Sequence, residues 1–198
     1  MSSKIFADKM MIFLKKYKNY SHRDELLAHY GLETIYIFIT KMFIITIISL
    51  IFNITKEMYI FIFFYGLLRL YASGMHLSSS LGCTCFSSIV LIGLPLITKF
   101  TSIPFNYRIL LAGICLCIFA LYSPADTIRK PLIHEEKRIK NKIKSSFICY
   151  IYIILLFIIK DTFILNCITY SMILQSFLIS LLTYKLFNQS YNNYKIYK

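Results

Sequence analysis

An imidazole and a thiol lie close together at His76 and Cys83, within residues 69–88, RLYASGMHLSSSLGCTCFSS. A cysteine attacks as its thiolate, and a neighbouring base is one way to generate that anion. The pair therefore predicts a cysteine nucleophile with a histidine base at a membrane surface. On composition alone a structural role is the commoner alternative, with Cys83 a small residue of a membrane helix and His76 an interfacial side chain.

The seven-residue spacing sets a condition on the backbone between His76 and Cys83. In a straight helix the two residues share a face, but their Cα atoms are about 10 Å apart along the axis. Direct contact requires a separation of about 3 Å between heavy atoms. Gly74, Gly82 and the intervening serines allow a bend or re-entrant loop, which is tolerated where it lines a protein or water-filled cavity. We therefore predict an interrupted start to the membrane span that carries Cys83.

The composition predicts an all-α integral membrane protein. Of 198 residues, 58% are hydrophobic and 17% are aromatic, far above a soluble domain of this length. The net charge of +13 would suggest nucleic-acid binding in a soluble protein, but here the basic residues lie between apolar runs. We expect the lipid bilayer as partner and no nucleic acid. The six cysteines lack CxxC spacing, so neither a metal nor a cofactor is predicted.

The chain is predicted to form a single membrane domain over residues 1–198. Residues 1–34 form an interfacial segment with an amphipathic helix over 4–18 and a second helix beginning after Ser21, where SHRD resembles a capping box. Residues 35–184 form the core, and 185–198 form a polar cytoplasmic tail expected to be frayed. The core has about six transmembrane helices, predicted over 35–54, 58–72, 77–98, 109–122, 145–159 and 162–184.

The basic residues predict the orientation of this core. With six spans, sixteen Lys and Arg residues lie on the side of the two termini and four on the opposite side. Cytoplasmic loops of membrane proteins carry the excess of basic residues. We therefore expect a multi-pass protein of the bacterial cytoplasmic membrane, with both termini, the basic loop 129–144 and the His76–Cys83 stretch facing the cytoplasm.

Two motifs resemble those of the accessory gene regulator B family. Arg69, Gly74, His76 and Cys83 match the pattern R-x4-G-x-H-x6-C, and residues 122–132 match Y-x-P-A-D-T-x-x-K-P-[IL]. Both occur in the expected order in a basic protein of about the right length. The chain departs from the family pattern locally, with a serine at 73 where a second glycine is frequent and a leucine at 77 where a small residue is common.

The resemblance implies a membrane cysteine endopeptidase that processes the precursor of a quorum-sensing peptide. Cys83 would be the nucleophile and His76 its base. The precursor, a short peptide with an amphipathic leader and an acidic C-terminal tail, would be cut near its C-terminus. Its upstream part would remain as an acyl-thioester on Cys83 and then cyclise to a thiolactone or lactone.

Three further residues are candidates for supporting or substrate-binding roles. Gly74 belongs to the motif, and Arg69 either snorkels to the interface or holds a substrate carboxylate, which the resemblance favours. Asp126 either orients His76 or caps the turn beside Pro124.

Two expectations concern assembly and alternative function. The small residues of 77–88 favour close helix packing and hence a homodimer. The competing class is a non-enzymatic membrane protein. It would be a transporter with Lys41 and Arg69 on its path, or a sensor that binds metal through His76 and Cys83.

Overall fold

A computed structural model describes residues 3–18, 20–75, 80–127 and 131–197. These residues form helices, joined by turns and one isolated parallel bridge between Ser73 and Ala125. The chain divides into two compact units, Met1–Asn53 and Ile54–Lys198, which are described separately. The predicted all-α fold is confirmed.

The first unit consists of α1 (Ser3–Lys15) and α2 (His22–Ile51). The predicted amphipathic helix is present as α1, which packs against α2. Ser21 caps α2 as predicted, because its hydroxyl accepts a hydrogen bond from the Asp24 N–H at 3.2 Å. An ion pair of 2.5 Å between Lys15 and Glu25 also joins the two helices. Helix α2 continues through residue 34, and the division there into an interfacial segment and a membrane core stays a prediction.

The second unit surrounds α7 (Thr162–Ile179), of whose 18 residues eleven are buried. This helix contacts the four other long helices of the unit and the short helix that follows it. A 3₁₀ helix, Asn193–Tyr197, lies near the C-terminus. The α-helices of the unit are α3 (Thr55–Ala72), α4 (Ser80–Phe100), α5 (Phe105–Tyr122), α6 (Glu135–Ile158), α7 (Thr162–Ile179) and α8 (Leu181–Leu186).

Successive helices from α3 to α7 alternate in direction. Lys99 and Glu57, 3.4 Å apart, join the end of α4 to the start of α3. At the opposite end of the unit, the bridge between Ser73 and Ala125 joins the segments that follow α3 and α5. This second end, called here the motif end, carries the end of α3, the start of α4, the end of α5 and the start of α6.

Among the described residues, five helices are long and apolar enough to cross a membrane, namely α2, α4, α5, α6 and α7. The predicted second span, α3, is outside this set. It is 18 residues long but contains Lys56, Glu57 and Arg69. Because α3 packs against α4, α6 and α7, it lies within the helix bundle of its unit. The predicted multi-pass architecture is therefore supported, and the three charged residues of α3 set it apart from the five candidate spans.

Two expectations for the C-terminal region are wrong. The predicted span 162–184 is interrupted at Ser180, whose extended backbone ends α7 and whose hydroxyl caps α8 by accepting the Thr183 N–H at 3.4 Å. The tail was expected to be frayed, yet Asn193 is only 1% exposed and begins the 3₁₀ helix. The tail is ordered because buried polar groups of the second unit bind its backbone.

Candidate active site

The chain leaves α3 through a sharp turn at Ser73 and Gly74. Both residues have positive φ, 56° at Ser73 and 119° at Gly74. A Cβ atom added to Gly74 would lie 2.7 Å from Arg69 Nη1 and 3.1 Å from the Leu178 carbonyl oxygen. Glycine is thus required by both the dihedral angle and the space. The described part of α4 starts at Ser80, and the predicted interruption between His76 and Cys83 falls largely on residues 76–79, outside the described residues, so it stays a prediction.

The second motif holds this turn from the side of α5. The Ala125 N–H donates to the Ala72 carbonyl at 3.0 Å, and the Gly74 N–H donates to the Ala125 carbonyl at 2.9 Å. These bonds form the parallel bridge between Ser73 and Ala125. The two motifs recognised in the sequence therefore meet through their backbones.

Helix α7 holds the same turn from the other side. The Gln175 side-chain amide donates to the Ser73 carbonyl at 2.7 Å. The Met75 N–H donates to the Leu178 carbonyl at 3.0 Å. That carbonyl can bond to Met75 because α7 ends just beyond it, so the interruption at Ser180 contributes directly to the turn.

Arg69 completes the contacts with its guanidinium group. Nη2 donates to the Met75 carbonyl at 2.9 Å and lies 3.5 Å from the Gly74 carbonyl. Nη1 is buried and has no hydrogen-bond partner among the described residues. Arg69 therefore fixes the backbone directly before residue 76, a role that sequence analysis did not predict. The two roles predicted for Arg69, snorkelling and carboxylate binding, stay predictions.

Cys83 is the fourth residue of α4 and is partly exposed. Its carbonyl accepts a hydrogen bond from the Ser87 hydroxyl. None of the six cysteines, all of which are described, forms a disulfide. The amide groups in the first turn of a helix carry partial positive charge, which favours an anion there. His76 lies outside the described residues, and with it the predicted contact to Cys83.

Asp126 is buried and binds the C-terminal tail. One carboxylate oxygen accepts the Asn193 N–H at 2.9 Å and the other accepts the Tyr194 N–H at 2.8 Å. Its backbone carbonyl accepts the Tyr184 hydroxyl at 2.7 Å. These contacts agree with a capping role, although Asp126 caps the tail and not the turn beside Pro124. Its predicted action on His76 stays a prediction, because that residue lies outside the described part of the chain.

Two buried residues near this turn, Gln175 and Tyr184, were not predicted from the sequence. Gln175 is fully buried in an apolar span, and a buried amide in such a span is itself a signal of a specific partner. Tyr184 was assigned to the end of a span but lies in α8. Burial raises the pKa of Tyr184 and the nearby Arg69 charge opposes this effect only in part, so the hydroxyl remains a donor to Asp126.

Comparisons with a family model and with individual proteins point to the same family. The family model described as "Accessory gene regulator B" matches residues 7–179. The chain is 31% identical over 150 residues to the accessory gene regulator protein B of Staphylococcus carnosus, covering 76% of this chain and 78% of that protein. It is 28% identical over 166 residues to an AgrB-like protein of Clostridium acetobutylicum, covering 83% and 78%. No solved structure matches. The family match includes both motifs and ends before α8.

Proposed function

Because the chain belongs to the accessory gene regulator B family, we propose that it is a membrane cysteine endopeptidase that converts a short precursor peptide into a cyclic quorum-sensing signal. One observation carries the proposal. The bonds of Arg69, Ala125 and Leu178 fix residues 73–75, and the chain then passes through His76 to Cys83 in the first turn of α4. A rigid support directly before a general base is what a cysteine protease needs.

In the proposed first step, His76 accepts the proton of the Cys83 thiol. The thiolate attacks a carbonyl near the C-terminus of the precursor, and the amide C–N bond breaks as His76 returns the proton to the leaving nitrogen. The upstream peptide remains as a thioester on Cys83 and the C-terminal fragment leaves. Negative charge develops beside the positive end of α4, where amide groups stabilise it.

In the second step, a thiol or hydroxyl of the bound peptide attacks the thioester as His76 accepts its proton. The Cys83–acyl bond breaks, the ring closes and the enzyme thiolate is regenerated. Intramolecular attack competes with hydrolysis only where water is restricted and the nucleophile is held close. The partial burial of Cys83 supports such a sheltered position.

Coexpression with the precursor, followed by mass spectrometry of the cells and medium, tests this activity. We expect a cyclic peptide, shorter than the precursor by its C-terminal fragment, and the fragment itself. A transporter would instead move intact precursor across the membrane, and that result would overturn the proposal.

We place the motif end at the cytoplasmic face of the cell membrane. The basic start of α6 and the tail lie at this end, while Lys56, Lys99 and Lys160 lie at the opposite end. We expect cysteine at Ile196, an exposed tail position, to be protected in intact cells from a membrane-impermeant maleimide and labelled after lysis. Lys160→Cys is the matched control and should be labelled without lysis. The parent for both has serine at the exposed Cys85 and Cys117 and at the partly exposed Cys83. Labelling of position 196 in intact cells would reverse the orientation.

We further propose a homodimer that forms through the small-residue part of α4. Gly82, Ser87 and Ser88 are partly exposed there, and small residues allow membrane helices to approach closely. Amine-reactive crosslinking in native membranes is expected to give a species of twice the monomer mass. This species should weaken when Ser88 is replaced by phenylalanine. Recovery of monomer alone at all crosslinker concentrations would exclude the dimer.

A further inference from the structure

A cavity of about 480 Å³ opens at the motif end, between the end of α5, the start of α6, α8 and the tail. It lies beside residues 122–124, directly before the Ala125 that bridges to Ser73. All its walls belong to the second unit. The peptide chemistry proposed above does not use this cavity, and the contacts of Asp126 do not explain it.

One wall of the cavity is cationic. Arg138 and Lys142 lie one turn apart on α6 and both line it, with Glu135 as the acidic residue among the lining side chains. The Arg138 guanidinium carbon lies 3.2 Å from the centre of the Tyr194 ring. Stacking uses the flat face of a guanidinium group and leaves its N–H edge able to bind an anion. In the part of the chain that the structure describes, neither cation forms an ion pair.

A second part of the lining is aliphatic and continues onto the outer surface. Leu121 is 71% exposed, Ile139 54% and Leu181 38%, and all three line the cavity. A small hydrophilic anion gains nothing from this surface. A ligand with an anionic head joined to hydrocarbon chains contacts both walls at once. Tyr122 and Tyr191 also line it, and tyrosine is enriched where membranes meet water.

We propose that this cavity binds the phosphate headgroup of an anionic phospholipid, with Arg138 and Lys142 on the phosphate and the acyl chains passing over Leu121 and Leu181. Basic pockets at the ends of membrane helices bind such headgroups. The site would tie α6 and the tail to the lipid surface beside the turn at residues 73–75.

The test measures retained lipid by native mass spectrometry of the full chain, purified in neutral detergent without precursor peptide. Phosphatidylglycerol and phosphatidylcholine are titrated separately. The variant Arg138→Gln/Lys142→Gln is compared with Lys137→Gln/Lys140→Gln, which removes the same charge from the same helix outside the cavity. We expect phosphatidylglycerol to bind the wild type and the control alike, and the cavity variant about thirtyfold more weakly.

A second variant tests the role of the cavity's space independently of its charge. Leu181→Trp keeps both cations but fills the space, and it should also lower phosphatidylglycerol binding. Equal binding of the two lipids by the wild type, or equal losses in the cavity and control variants, would overturn the proposal. Displacement of the lipid by millimolar inorganic phosphate would show a site for free anions. Displacement by an acidic peptide would show a peptide site. Either result would also overturn the proposal.

Discussion

Cys83→Ala, His76→Ala and the double substitution are expected to reduce precursor cleavage to the same background rate. Groups that act in one catalytic step have strongly non-additive effects, since removing either member removes the step. Cys83→Ser is the sharper test, because a hydroxyl is far less acidic than a thiol and a histidine suited to forming a thiolate does not ionise it. Cleavage is measured by mass spectrometry of precursor and fragment in membranes with matched protein amounts.

Cys85→Ala is the control for these variants, because it removes an exposed thiol two residues away on α4. It should retain nearly full activity.

Excess C-terminal fragment added to wild-type enzyme should suppress the cyclic product, because exchanging an amide for a thioester is uphill and reversible. Normal cleavage by Cys83→Ser, or a yield indifferent to added fragment, would rule out the thioester mechanism.

Gly74→Ala is expected to have the second-largest effect. Its φ of 119° costs a residue with a Cβ about 1–3 kcal/mol, and the new methyl would lie 2.7 Å from Arg69 Nη1. Arg69 would move and release the Met75 carbonyl that it holds. A misplacement of about 1 Å at an active site can lower activity about a hundredfold, so we expect a loss of that size in cleavage rate.

Gly66→Ala, within α3 and ahead of the turn, provides the matched control. A Cβ at Gly66 meets nothing within 4 Å, so this change should leave cleavage intact and stabilise α3 slightly. Thermal unfolding in detergent shows whether each variant is folded. A Gly74→Ala protein with normal activity would show that the turn does not position the catalytic pair.

The sequence was sufficient for the features that depend on residue type. Apolar runs predicted the helices, and Gly74 indicated a bend after α3, where its φ is positive. Ser21 predicted its cap because the hydroxyl of a capping residue is specific to that position. The motif spacing identified the family, which the family model then confirmed.

Features that depend on backbone groups could not be predicted in this way. Every residue carries a carbonyl, so nothing in the sequence marked Leu178 as the acceptor for Met75. The end of α7 at Ser180 was not predicted either, because aliphatic residues continue on both sides of it and the apolar run shows no break. The contact of Gln175 differs from these, because a polar side chain within an apolar span is a signal that the sequence does contain. The distance between His76 and Cys83 lies outside the described residues and stays a prediction.

Asp126 binds the C-terminal tail chiefly through the tail's backbone. The carboxylate binds the backbone N–H groups of residues 193 and 194. All residues except proline carry such a group, so these two bonds distinguish tails by length and path and hardly by side chain. These two bonds therefore constrain the length and path of the segment after α8, while Tyr191 and Tyr194 add contacts that do depend on the side chain. An exchange of this tail between related proteins would therefore have to preserve both the acceptor carboxylate and the partners of these two tyrosines.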